Sequence, residues 1–571
     1  MSTNPEIKKT FARWRGGVTS QEGEQLQELA ADPSALEDAF YKQLEFGTGG
    51  LRGKLGLGPN RMNVYTVGQA TQGLANYLNA TFEHPTVAVC RDSRHGGEQF
   101  TRRVAEVLAA NGIASYTYPR VQPTPALSFA TRYLGCSAGI NVTASHNPAV
   151  YNGYKVYGPD GCQITTQAAE AIQRAIYAVD AFDDVKAMPY EQAVEEGLAR
   201  ETGEEVLDAF CAAVLSQAGG QCCSGLSVVY TPLNGTGLEC VTRVLGAIGV
   251  THVHVVPEQA QPDGSFPTCP YPNPEVREAL QLGLALCEEV HPDLLIATDP
   301  DADRVGLAVP HGGEYVLLSG NEVGLLLADY RVRCAKAAGQ DVSRKMVCTT
   351  VVSAPMADAM ARAEGFELRR TLTGFKYIGE QIAQLEAEGR EGEFLFGFEE
   401  SYGYLAGTHA RDKDAVVTSL LVCELAAYWK ERGLDLYEAM QQLYEAYGYW
   451  GSTLVTVAYE GAAGAAHMQA IMAGLRAAAP ASLGGLAVQQ ANDYAAGAPM
   501  PVLNGPAGAP VQQLPPANLV EFRLAGGSRL LVRPSGTEPK IKAYVFAKAT
   551  TRDEAGALCE TLAASARELL A

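Results

Sequence analysis

The chain has 571 residues, 47% hydrophobic and 19% charged, which is a globular composition rather than a disordered one. At about 100–200 residues per domain this length holds roughly three to five domains. Its 64 acidic against 44 basic side chains leave a formal charge of −20; that excludes a protein built to wrap nucleic acid or coat an anionic membrane, but not one that binds an anionic substrate where positive charge is concentrated locally.

In chain order, the first 45 residues read as acidic amphipathic helix. Strand-length apolar runs then alternate with longer helical patterns. TVAVCRD (86–92) predicts a strand, TRRVAEVLAANG (101–112) a helix closed by glycine, ASYTYP a strand, PALSFATRYLG a helix and CSAGINVTA a strand. The pattern recurs from LSVVYTPL (226–233) through a helix at 236–248, the strand VTHVHVVP (250–257) and a helix near 274–290 to PDLLIATD (292–299). It recurs again from KMVCTTVVS (345–353) through helices at 354–364 and 375–389, with FELRRTLTG (366–374) between them, to EFLFGFEES (393–401). Such alternation predicts α/β units on mainly parallel sheets. From about 455 the chain turns rich in Ala and Gly, and AAGAPMPVLNGPAGAPVQQLPP (495–516) predicts a loop without periodicity. Strand-like alternation through RPSGTEPKIKAYV and a final amphipathic helix predict a smaller α+β domain. The expected domains are 1–205, 206–325, 326–455 and 456–571.

The 13 cysteines are scattered singly apart from Cys222-Cys223 and lack zinc-like spacing, as expected of reduced thiols in the cytoplasm. The N-terminus has no signal-peptide apolar core, and no uncharged apolar run of about 18 residues occurs, so no membrane association is expected.

Four segments carry chemistry. GINVTASHNPAVYNGYKVYGPDG delivers Ser145 and His146 to a strand's C-terminal end, where ligands bind in open α/β sheets, with Lys155 ten residues on. Ser145 is placed either as a nucleophile or as a simple turn cap. PDLLIATDPDADRVGLAV ends an apolar strand in Asp299, Asp301 and Asp303, followed by Arg304. Three hard carboxylates there suit Mg²⁺. An EF-hand fails, since its sixth position would be Arg304 and its twelfth Pro310. A haloacid-dehalogenase phosphatase, with Asp299 as nucleophile, is the competing pattern, although Asp303 stands where that pattern has Thr or Val. LFGFEESYGYLAGTHARDKDA offers Glu399, Glu400 and Ser401 for sugar hydroxyls, then His409, Arg411 and Lys413, the last able to bind phosphate or move a proton or else part of a surface charge run. In LLVRPSGTEPKIKAYV the tight turn of Arg533, Ser535, Gly536 and Thr537, flanked by Lys540 and Lys542, reads as an anion cradle. Two Gly-rich loops carry further cations: FGTGGLRGKLG with Arg52 and Lys54, and TLTGFKYIG with Gly374 and Lys376. Together these fit metal-assisted phosphoryl transfer on a phosphosugar.

TASHNP, DPDADR, GFEESYG and RPSGTEP, in this order and at these spacings, resemble the four signatures of the α-D-phosphohexomutase superfamily over nearly the whole chain. FGTGGLRGK, TLTGFK and GTHARDKD resemble most its phosphoglucomutase/phosphopentomutase branch. The resemblance implies three related α/β domains plus a smaller C-terminal domain around a central cleft. It implies Ser145 as the phosphoryl carrier and one Mg²⁺ held by Asp299, Asp301 and Asp303 with a phosphoserine oxygen. Arg52 and Arg304 are then expected to steady the phosphoserine, and Lys413, Lys155 or His146 to serve as general acid/base. Glu399 and Ser401 would bind sugar hydroxyls, the loop of Gly374 and Lys376 would sense sugar orientation, and Arg533, Ser535, Gly536 and Thr537 would grip the phosphate that is not reacting. The implied activity is interconversion of glucose 1-phosphate and glucose 6-phosphate through glucose 1,6-bisphosphate, with a phosphosugar as the only partner. A pentose phosphate substrate, a bisphosphate synthase or the phosphatase above are the alternatives. One departure is Phe375, where the best-known glucose-specific members have Trp.

Overall fold

A computed structural model describes residues 4–47, 49–459, 461–505, 511–535 and 540–571. The chain divides into two compact units, one made of residues up to Ala308 with Thr408–Cys423, the other of Val309–Gly407 with Glu424–Ala571. Among the described residues no helix is long and apolar enough to cross a membrane.

The first unit opens with three short helices, Pro5–Gly17, Ser20–Leu29 and Pro33–Phe40, as the acidic amphipathic pattern predicts. Thr19 and Glu22 form a reciprocal capping box that starts the second helix. Ile7, Phe11, Trp14, Leu26, Leu36 and Phe40 bury against one another, with Tyr65 and Phe182 packed on them.

A six-stranded sheet follows. Its spatial order is Gly50–Lys54, Tyr151–Tyr157, Ala138–Val142, Thr86–Arg91, Ala114–Thr117 and Ala199–Glu201. The last four run parallel, and Tyr151–Tyr157 is antiparallel to both of its neighbours. Ala138–Val142 is buried at every position, including Asn141, whose side-chain NH₂ donates to Thr124 Oγ1. The helix expected from 101 begins earlier, at Gly97, because Gly96 adopts a left-handed φ of 79° and turns the chain directly into it. A second sheet in this unit has Ser227–Thr231 parallel to His252–Val255 and to Leu294–Thr298, with Val305–Ala308 returning antiparallel on Leu294–Thr298. The helix expected near 274–290 is a 3₁₀ turn, Arg277–Leu280, running into an α-helix at Gln281–Val290.

The second unit holds a four-stranded sheet ordered Glu367–Thr371, Met346–Thr350, Phe394–Glu399 and Gly403–Leu405, the first three parallel. It also holds a six-stranded antiparallel sheet built from Tyr449–Ala458, Lys540–Ala549, Arg529–Pro534, Val520–Leu524, Leu486–Asp493 and Ser482–Leu483. Val351, Val352 and Leu372 share one core with Leu531, Tyr544 and Phe546, so the two sheets of this unit pack as one body.

The loop expected at 495–516 is more structured than its composition indicates. Ala498–Pro501 and Val511–Leu514 pair as an antiparallel hairpin. Leu503 exchanges two backbone hydrogen bonds with Leu368 on the edge strand of the four-stranded sheet, and Met500 and Leu514 enter the shared core. Pro and Gly hid the alternation, and tertiary burial supplied what local propensity withheld. The architecture is α/β, with three tandem α/β domains followed by a C-terminal domain.

Candidate active site

Ser145 sits just past the buried strand Ala138–Val142 and adopts a left-handed φ of 51°. That conformation is uncommon for a residue with a Cβ and is held from both sides. The Ser145 N–H donates to Thr143 Oγ1 at 2.8 Å, and Thr143 Oγ1 donates to Asp92 Oδ2 at 2.6 Å. Behind the loop lies Arg94, 3% exposed, whose guanidinium donates to four carbonyls, those of Ser145, Asn147, Pro148 and Tyr151. Its Nε lies 3.2 Å from Asp92. Burial pushes the Asp92 carboxyl up to about 6, against the pull of Arg94. Sequence reading passed over Asp92 and Arg94; the signal available was RDSR, a polar run at the end of the strand Thr86–Arg91.

The Ser145 hydroxyl donates to Asp299 Oδ2 at 2.8 Å and lies 3.2 Å from His146 Nδ1. Asp299 Oδ1 accepts the backbone N–H groups of Asp303 and Arg304, both at 3.0 Å. A carboxylate so engaged at both oxygens is a fixed acceptor, not the exposed nucleophile that the phosphatase pattern needs. One oxygen each from Asp299, Asp301 and Asp303 lies within 4.8 Å of the others, and all three residues are buried. Asp301 Oδ2 accepts from Thr124 Oγ1 and from Lys155 Nζ, both at 2.8 Å. Asp303 Oδ2 lies 3.2 Å from Lys413 Nζ and 3.6 Å from Lys155 Nζ.

Burial and mutual repulsion dominate the electrostatics of the three carboxylates. Burial, then Asp301 and Asp303, drive the Asp299 pKa well above the carboxylate range. Burial, then Asp301, raise that of Asp303. Asp301 goes the other way: desolvation pushes it up, but the charge and hydrogen bond of Lys155, with hydrogen bonds from Asp299 and Thr124, together outweigh it. Asp301 Oδ1 and Asp303 Oδ1 are buried with no hydrogen-bond partner. Converging hard oxygens with two orphaned acceptors fit a divalent cation such as Mg²⁺. Asp303→Asn is therefore expected to abolish the rise in Tm that Mg²⁺ gives the chelated wild-type protein, a rise worth about 2.7 kcal/mol at a concentration 100 times Kd. An undiminished Mg²⁺ shift in the variant would count against this site.

Lys155 remains an ammonium. Desolvation works against its charge, but Asp301 and Asp303 outweigh it and raise its pKa. Desolvation, followed by the fields of Arg304 and Arg52, keeps His146 well below its usual pKa and so neutral. Lys413 Nζ lies 3.0 Å from Asp412, whose other oxygen accepts from Tyr157 Oη at 2.8 Å. Arg52 donates to Asn147 Oδ1 at 3.0 Å, and Arg304 pairs with Glu275. Ser145, His146, Lys155, Asp299, Asp301, Asp303, Arg304, Lys413 and Arg52 thus gather in one unit.

The remaining predicted residues lie in the second unit. Glu399 ends the strand Phe394–Glu399 and accepts the Gly374 N–H at 2.7 Å, joining the GFEES turn to the TLTGFK loop. Lys376 is buried with its Nζ 4.9 Å from the Tyr377 ring centroid. Ser401 follows on the turn into Gly403–Leu405. Glu400 accepts from Ser353 Oγ at 2.9 Å and Thr350 Oγ1 at 3.3 Å. Arg370 clamps the same turn, donating to the carbonyls of Thr350, Ser353 and Ala354. Arg533 pairs in register with Lys542, and the Ser535 N–H donates to the Lys540 carbonyl at 2.7 Å. Gly536 and Thr537 lie outside the described residues.

Burial and the neighbouring Glu399 lift the Glu400 carboxyl to about 7. A carboxyl whose pKa is higher folded than unfolded binds more protons in the native state, so stability falls as pH rises from about 4.5 to 7. Glu400→Gln is expected to flatten that fall. The check is Tm measured from pH 5 to 8 for both proteins; parallel curves would contradict it.

An α/β scaffold that brings a strained serine, three buried carboxylates and two lysines together at strand ends has the parts of a group-transfer enzyme with a place for a divalent metal. Comparison with known proteins agrees, and the chain belongs to the phosphoglucomutase/phosphomannomutase family. Models of that family's alpha/beta/alpha domains I, II and III match residues 43–182, 208–313 and 319–447, and its C-terminal domain matches 484–565. A phosphoglucomutase of Staphylococcus aureus (strain bovine RF122 / ET3-1) is 36% identical over 518 residues, covering 90% of this chain and 92% of that protein. One from Staphylococcus epidermidis is 35% identical over 512 residues, covering 89% and 91%. Among solved structures, a Thermus thermophilus protein shares the fold with a TM-score of 0.68 at 23% identity, covering 93% of this chain and 99% of that one. The open form of pp63/parafusin, a Paramecium phosphoglucomutase, does so with a TM-score of 0.66 at 17% identity, covering 93% and 95%. The chain is thus a phosphotransferase of the isomerase type.

Proposed function

We propose that this chain interconverts glucose 1-phosphate and glucose 6-phosphate through a phosphoserine at position 145 and a glucose 1,6-bisphosphate intermediate. The observation that supports it most is the Ser145 hydroxyl hydrogen-bonded to one of three converging buried carboxylates. Phosphorylated Ser145 donates its phosphoryl group to the free hydroxyl of the bound monophosphate. The bisphosphate turns over, its original phosphate returns to Ser145, and the isomeric monophosphate leaves.

Asp299, Asp301 and Asp303 would hold one Mg²⁺ with a phosphoserine oxygen, and the ion would offset the charge of the transferring group. Lys155, held protonated, stabilises that charge. His146, held neutral, and Lys413 are the candidate proton carriers beside it. Arg52 and Arg304 steady the phosphoserine. Glu399 and Ser401 read sugar hydroxyls, with Gly374 and Lys376 on the adjoining loop. Arg533, Ser535, Gly536 and Thr537 grip the phosphate that is not reacting. The domains assigned to these tasks are 1–205, 206–325, 326–455 and 456–571. The 13 cysteines, scattered along the chain and mostly buried, suit a reducing compartment, which supports a cytoplasmic location.

The test is a paired assay with Mg²⁺ and a trace of the matching sugar bisphosphate, comparing kcat/KM for glucose 1-phosphate and ribose 1-phosphate. A large preference for glucose is expected. A preference for ribose would overturn the substrate while leaving the mechanism, and release of inorganic phosphate without an isomer would overturn both.

A further inference from the structure

The hairpin at 498–514 does more than fill space. Between it and the edge of the four-stranded sheet lies a cavity of about 410 Å³, within the size range of small-molecule sites. One wall is the strand Glu367–Thr371, whose alternate residues Glu367, Arg369 and Thr371 face the cavity. A second is the helix Phe375–Ala387, which contributes Tyr377, Gln381 and Gln384. The third is the hairpin strand Val511–Leu514, through Gln512 and Leu514.

The polar groups are fixed but not used up. Arg369 and Gln381 are 7% and 8% exposed. Arg369 Nη1 donates to the side-chain oxygens of Gln381 at 3.0 Å and Gln384 at 3.3 Å, and its Nε pairs with Glu367. This arrangement turns the Gln381 amide so that its oxygen is taken and its NH₂ faces away from Arg369. Across the cavity stands half-buried Gln512, a second side-chain amide on the lining.

The charge balance narrows the ligand. Arg369 is offset by Glu367 and Glu380 on the same lining. An anion meets no surplus positive charge here, and a phosphosugar is therefore a poor fit. Side-chain amides, a carboxylate and a guanidinium supply both donors and acceptors, which vicinal hydroxyls match because each hydroxyl does both. Leu372, Leu514 and the Tyr377 ring supply apolar surface for the C–H face of such a molecule. We propose that this cavity is a second binding site, for a neutral saccharide, separate from the phosphosugar site. The inference does not depend on the reaction proposed above.

The site is tested by titrating glucose and maltose into the full-length protein, followed by saturation-transfer NMR, with and without saturating glucose 6-phosphate. Saturable binding is expected that survives glucose 6-phosphate. It should weaken about tenfold in Gln381→Leu and in Gln512→Ala, the effect of one lost hydrogen bond in a buried site. Gln384→Ala, an exposed position, serves as a further variant should Gln381→Leu fail to fold, and Tm is recorded for all three. Absence of saturable binding by both sugars overturns the proposal. So does complete displacement by glucose 6-phosphate, or wild-type binding in folded Gln512→Ala and Gln384→Ala proteins.

Discussion

Ser145→Ala is expected to lower mutase turnover by roughly four orders of magnitude while leaving Tm almost unchanged. The hydroxyl donates to Asp299 and lies beside His146, so its removal takes away the phosphoryl acceptor we propose and little else. The backbone that shapes the loop is untouched: the residue-145 N–H keeps Thr143, and its carbonyl keeps Arg94. Radiolabel from glucose 1,6-bisphosphate should no longer be retained on the protein. Wild-type turnover in the variant, or label that persists on it, would remove Ser145 from the mechanism.

Arg94→Met is expected to be among the most destabilising single changes in the first unit, by about 3–5 kcal/mol. Methionine keeps much of the volume but strands Asp92, 1% exposed, without its counter-charge. It also releases four carbonyls of the serine loop at once. Turnover should fall along with stability, because Ser145 loses the frame that holds its left-handed backbone. Urea melts of Arg94→Met, Asp92→Asn and the double variant separate the causes. The double variant should recover part of the loss, since the unpaired charge is gone. A single variant as stable as wild type would show that the loop is held by other means.

The parts of this protein that sequence reveals are those with a local signature. Largely apolar runs such as LLIAT and AGINV become buried strands, and the polar residues that follow them emerge at strand ends. Ser145, Asp299, Asp301 and Asp303 were legible for that reason, and Lys155 and Lys413 stood close enough to be drawn in. Asp92, Arg94 and Thr124 were not. Each acts across a long gap in sequence: Arg94 on the carbonyls around 145–151, Thr124 on Asp301. No periodicity encodes such contacts, and a serine between two charged residues looks like any surface turn. The hairpin at 498–514 was hidden for a different reason. Its strands are four residues each, contain two prolines, and pair only because Met500 and Leu514 find a core supplied by distant segments.

That hairpin also changes what the molecule presents to its neighbours. The strand Glu367–Thr371 is the last in its sheet, and a bare strand edge is a template onto which any extended chain can zip. Here Leu503 occupies the backbone groups of Leu368, and Asn504 pins the turn through the carbonyls of Ala361 and Phe366. A stretch whose Ala, Gly and Pro content looks like tolerated slack thus serves as a guard rail, keeping one copy of the protein from becoming the next strand of another.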